Sequence, residues 1–107
     1  MQARLPEGSG NVSEGKASYY SRRFIGRKTA SGEPYDPNKF TAAHKTLPLG
    51  TIVRVTRLPG GPYIDVRIND RCGCANGRQI DLSESAARHL RMLAEGVIPV
   101  RVEVLGR

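Results

Sequence analysis

Three stretches of alternating side chains constrain this chain more than anything else in it. TIVRVTR at 51–57, YIDVRIN at 63–69 and VIPVRVEVL at 97–105 place apolar residues at every second position. That is the period of a strand with one face against a core. In the second stretch Ile64, Val66 and Ile68 share a face; in the third Val100, Val102 and Val104 point inward, with Arg101 and Glu103 outward. LPGGP at 58–62 reads as the hairpin loop joining the first two. GKASYY at 15–20 reads as a further short strand, and TAAH at 41–44 as a strand or turn. Helical spacing is convincing once, at 83–93, where Ala86, Leu90 and Leu93 form the apolar side. Ser83 is its expected N-cap, with Glu84 in the first turn. Roughly six short strands, with one helix before the last, predict a small mixed barrel in a single domain. Residues 1–14, polar and rich in Gly and Ser, read as a flexible arm ahead of a 15–107 domain.

Charge and composition narrow the partners. The net charge is +7, and Arg outnumbers Lys by thirteen to four, which favours paired contacts to carboxylate or phosphate. An acidic partner is therefore expected: nucleic acid, anionic lipid or an anionic wall polymer. No helix-turn-helix, zinc module or aromatic ribonucleoprotein motif accompanies the charge, so nucleic acid is the weakest of these. No apolar run reaches the ~18 residues of a membrane span. MQARLPEGSGNVSEG lacks the apolar centre of an export signal, leaving either a cytosolic protein or one whose signal lies outside this chain.

The unusual chemistry is concentrated in INDRCGCANGRQIDLS at 68–83. Asp70 ends an apolar strand between Asn69 and Arg71, where a carboxylate either caps a turn or serves as an acid. Partial burial would raise its pKa, and Arg71 would lower it. Asp81 reads as structural, bonding backbone at the start of the helix. Cys72 and Cys74 leave three readings open: a tight disulfide, two inert thiols, or a zinc site, for which only His44 and His89 supply imidazoles. The segment 21–40 is basic and then turn-rich, a length of loop that is more often functional than idle.

Six blocks, ASYY (17–20), GRKTASGE (26–33), TAAHKTLPLGTIVRV (41–55), INDR (68–71), GRQIDLSESAA (77–87) and VRVEVL (100–105), together resemble the rare lipoprotein A family in order and spacing. The resemblance covers about residues 15–105. It implies a mainly β fold: a six-stranded double-psi β-barrel with one short helix (83–93), the architecture also of expansins and some lytic transglycosylases. It implies a monomeric envelope protein of the periplasmic side, compatible with an outer-membrane lipid anchor upstream, acting on peptidoglycan glycan strands. The implied activity is endolytic transglycosylation, which leaves 1,6-anhydro-muramyl ends and needs no cofactor or metal. Carried over by position, the catalytic residues are Asp70 as acid, His44 and Glu33, with Tyr20, Arg27, Lys28, Thr29 and Arg71 meeting substrate. Arg22 and Arg23 join Arg27 and Lys28 as candidates for the acidic groups of the wall. Relatives usually follow Asn-Asp-Arg with Gly-Pro-aromatic, whereas Arg71 here runs into Cys72-Gly73-Cys74. Ser21 and Tyr19 also stand where Gly and Trp are frequent. A non-catalytic, expansin-like glycan-binding barrel is the alternative.

Overall fold

The computed structural model describes residues 11–106. Six strands run β1 (Val12–Tyr19), β2 (Thr41–His44), β3 (Ile52–Arg57), β4 (Tyr63–Asp70), β5 (Arg78–Leu82) and β6 (Ile98–Gly106), with one helix, α1 (Glu84–His89), before the last. They close into a barrel in the order β1-β5-β2-β4-β3-β6, and β6 returns to β1. Two pairings are parallel, β1 with β5 and β2 with β4; the others are antiparallel.

The alternating stretches supply the core as expected. Val53, Val55, Val66, Ile68, Val100 and Val102 are buried, joined by Ile80 and Leu82 from β5 and by Ala86, Leu90 and Met92. Removing each large aliphatic side chain from water is worth roughly 1.5–3 kcal/mol, so this cluster supplies most of what holds the barrel closed. A second, smaller cluster of Tyr20, Tyr35 and Ala43 lies against the groove described below.

Several expectations are corrected. The strand read at 15–20 starts earlier, at Val12, because residues from Val12 to Ala17 ladder onto β6; most of the expected arm lies outside the described residues. The loop read between Asp70 and the helix contains β5, the strand that links β1 to β2. The helix stops at His89 rather than 93. Arg91 takes a φ of 57°, which breaks the helical path. Arg57 donates to the carbonyls of Leu90 and Arg91 at 2.9 and 2.7 Å, satisfying acceptors left at the helix end. After that turn Met92 is fully buried and Leu93, expected in the core, is 36% exposed. Ser83 does cap α1, accepting from the Ala86 N–H at 3.4 Å while donating to the Lys39 carbonyl at 2.6 Å. Among the described residues no helix is long and apolar enough to cross a membrane.

Candidate active site

One row of residues across four strands builds the site. Ala43 on β2 is in register with Asp70 on β4 and also with Asp81 on β5, and Asp81 is in register with Ser18 on β1. Strict alternation would send Asp70 inward after Ile68. A bulge between Ala42 and Ala43 sets Asp70, not Asn69, opposite Ala43. Two aspartates thus flank one alanine, their Cα atoms two strand spacings apart, roughly 10 Å. Ala43 carries only a methyl group, so a groove of about 410 Å³ opens over it, walled by Tyr20, Phe24, Arg71, Arg78 and the 72–75 turn.

Asp70 is held as an acceptor on both oxygens. Oδ2 accepts from the Tyr20 hydroxyl at 2.6 Å, and Oδ1 from the Ala30 and Arg71 N–H groups at 2.8 and 2.9 Å. Burial pushes the Tyr20 phenol far above its usual range, and the bond to Asp70 adds to this, so Tyr20 remains a donor. Its ring stacks on Tyr35 with centroids 4.3 Å apart. Tyr35 in turn accepts the first N–H of α1, from Glu84, at 3.0 Å.

Asp81 is the functional candidate that the sequence reading set aside as structural. Among the described residues it bonds no helix backbone; its Oδ1 accepts from Ser18 Oγ at 3.0 Å, and it lines the groove. Burial pushes its carboxyl pKa up and the nearby Asp70 adds to the rise, while Ser18 and Arg78 oppose it. The signal was present in RQIDL, where Ile80 and Leu82 alternate with Asp81 around a two-residue period.

The other expected residues divide. Arg71 lines the groove and donates to the His44 carbonyl at 3.0 Å. Arg27, Lys28 and Thr29 line an adjoining hollow of about 170 Å³ that shares Tyr20 and Asp70 with the groove. Arg22 is instead tied to Glu84 at 2.9 Å, and Arg23 lies over the Phe24 ring. Glu33 is not a groove residue: it lines a separate hollow of about 140 Å³. There it pairs with Arg67 at 3.0 Å and accepts from Asn69 Nδ2 at 3.0 Å, which lowers its pKa to about 2. His44 Nδ1 accepts the N–H groups of Thr46 and Leu47, both at 3.1 Å, so a neutral ring carries its proton on Nε2. Burial, Arg71 and Lys45 all lower its pKa. Cys72 and Cys74 are bridged, with Cα atoms 5.2 Å apart, and their turn forms one wall beside Asp70.

The Glu33 pairing predicts acid sensitivity. Its folded pKa lies below the ordinary value, so the stabilisation is present above pH 4.5 and is lost as pH falls towards about 2. Melting temperatures of wild type and Glu33→Gln should therefore differ by a few degrees at neutral pH and converge at the acid end. The effect is modest because the Glu33 side chain is 38% exposed and solvent screens the pair.

A sequence family described as lytic transglycolase matches residues 12–102. The endolytic peptidoglycan transglycosylase RlpA of Campylobacter jejuni is 50% identical over 97 residues, covering 91% of this chain and 35% of that protein. Its namesake in Pasteurella multocida is 52% identical over 99 residues, covering 92% of this chain and 34% of that protein. The chain thus spans about a third of the length of these curated relatives. Among solved structures, apo expansin from Clavibacter michiganensis matches with a TM-score of 0.69 at 27% identity, over 88% of this chain and 50% of that one. A Streptomyces papain inhibitor matches with a TM-score of 0.68 at 27% identity, over 89% and 94%. A barrel shared by proteins so named does not specify an activity. Sequence and barrel agree on descent, however: the chain belongs to the lytic transglycolase family of double-psi β-barrels, alongside the rare lipoprotein A proteins.

Proposed function

We propose that this barrel is the catalytic domain of an endolytic peptidoglycan transglycosylase that works in the cell envelope as a monomer. The observation that carries the reading is the pair of aspartates flanking Ala43 in one open groove, with burial pushing Asp81 towards holding a proton and three donors engaging Asp70. Asp81 is the general acid, giving its proton to the glycosidic oxygen as the bond to the muramyl anomeric carbon breaks. Asp70, an acceptor fixed by three donors, faces the positive charge that grows at that carbon. The Asp81 carboxylate then takes the proton of the sugar's own 6-hydroxyl as that oxygen attacks the same carbon. The 1,6-anhydro ring closes, the acid is restored, and no water is consumed. Asp70 as the acid is the competing assignment, the one the resemblance implies.

The remaining residues support that pair. Glu33 and Ser31 pin the 29–33 turn to β4, which presents the Ala30 N–H to Asp70; Glu33 is thus a positioning residue. His44 fixes the end of β2 and holds Arg71 over the groove. Arg71, Arg27 and Lys28 are suited to the carboxylates of the lactyl and peptide groups, with Thr29 and Tyr20 meeting sugar hydroxyls.

Incubation with purified sacculi, followed by mass spectrometry of the soluble products, tests the reaction. Fragments should carry 1,6-anhydro-muramyl ends. Reducing muramyl ends would mean that water attacks and the enzyme is a hydrolase. Binding without release would favour the expansin-like reading, which the superposition with the Clavibacter barrel supports.

A further inference from the structure

Asp81 does not stand alone in the groove wall. Ser18 Oγ has one hydrogen, and it goes to Asp81 Oδ1 at 3.0 Å. Ser18 Oγ in turn accepts from Arg78 Nη1 at 3.0 Å, which fixes the direction of the hydroxyl. Arg78 is itself clipped to the turn before it: its N–H and Nε both donate to the Ala75 carbonyl, at 3.2 and 3.3 Å. That carbonyl directly follows Cys74, the second half of the bridge. An unbroken chain of contacts therefore runs from the cross-linked turn through Arg78 and Ser18 to one oxygen of Asp81.

We propose that Arg78 is a positioning residue that acts through Ser18 to reserve Oδ2 of Asp81 for the transferred proton, and that the Cys72–Cys74 bridge holds Arg78 in place to do so. The proposal rests on the reading of Asp81 as the acid. Oδ1 already receives a hydrogen from Ser18, so a proton on the carboxyl goes to Oδ2. Ser18 is the one side chain among the described residues bonded to Asp81. The charged and titratable groups facing Asp81 are Arg78 on its own strand, Asp70 on β4, Arg71 in the same groove wall, and Tyr20 and Tyr35 from the aromatic stack. Against the rise from burial and Asp70 stand first the Ser18 hydrogen bond and then the Arg78 cation.

The test is a carbon-13 carboxyl titration of Asp81 in the intact protein, with no substrate, for wild type, Arg78→Gln, Ser18→Ala and the Cys72→Ser/Cys74→Ser double variant. Arg78→Gln and Ser18→Ala should each move the Asp81 midpoint upward, by about one pH unit for the charge removal. The bridge-free variant should move it in the same direction by less, and should add nothing in the Arg78→Gln background. The alkaline limb of the cleavage rate should follow each midpoint upward. A midpoint unmoved in both Arg78→Gln and Ser18→Ala overturns the proposal, even where the rate falls at every pH. An additive shift on removing the bridge overturns the route through Arg78. Should Arg78→Gln fail to fold, Ser18→Ala alone decides, since it deletes one hydroxyl. Failure of the underlying reading looks different: the midpoints shift as stated while the alkaline limb stays still, or Asp81→Asn retains activity.

Discussion

Replacing Asp81 by asparagine is expected to slow glycan cleavage by about 100- to 10,000-fold, the usual worth of general acid–base assistance. The variant should fold. Asparagine keeps the shape of the side chain, and its carbonyl oxygen still accepts from Ser18, so no hydrogen-bonding group is orphaned. Removing a half-buried carboxyl that burial pushes towards neutrality also costs the barrel no ion pair. Release of soluble fragments from sacculi should fall while the melting temperature and sacculus binding hold. Wild-type rates in Asp81→Asn would move the acid elsewhere, with Asp70 the first candidate.

The second large effect is at Asp70, and its signature lies in pH as much as in rate. Asp70→Asn should lose about 100- to 1,000-fold, the cost of deleting one preorganised electrostatic partner of a developing charge. Its oxygen can keep the Ala30 and Arg71 N–H bonds at Oδ1, and the Tyr20 hydroxyl can turn to accept from the new amide. The Asp70 charge raises the pKa of Asp81, so its removal lowers that pKa. The alkaline limb of the residual activity should therefore move to lower pH, opposite to the shift expected for Arg78→Gln. If Asp70 were the proton donor, Asp70→Asn would instead lose the alkaline limb altogether, and Asp81→Asn would be the milder variant.

Much of the barrel was legible because its antiparallel strands advertise themselves. β3, β4 and β6 each bury one face, so a two-residue period marks them. Asp70 could be found for a related reason: a carboxylate following Ile64, Val66 and Ile68 is out of place. β5 was hidden because its five residues follow an Asn-Gly turn and show only Ile80 and Leu82 as apolar markers. Asp81 was lost with it, since an aspartate before Leu-Ser reads most simply as part of a helix start. No local pattern announces that Ser18 and Asp81, 63 residues apart, lie side by side on parallel strands. The bulge at Ala42 and Ala43 is equally silent, yet it turns Asp70 into the groove. The short helix was misjudged at its far end because Met92 and Leu93 exchange places once Arg91 takes its left-handed turn.

The parallel pairing of the first strand with the fifth has a consequence for when this protein can act. Tyr20 reaches Asp70 across 50 residues, and the Ser18 and Arg78 contacts behind Asp81 Oδ1 come from β1 and β5. Pairings of such long sequence separation form late, because the intervening chain must be ordered before they are rewarded. A molecule with an open barrel can hold native hairpins, yet it does not bring Asp81 beside Ser18 or Asp70 beside Tyr20. The fold thereby makes the groove a product of barrel closure: Ser18, Asp81 and Asp70 meet only once the seam between β1 and β5 has formed.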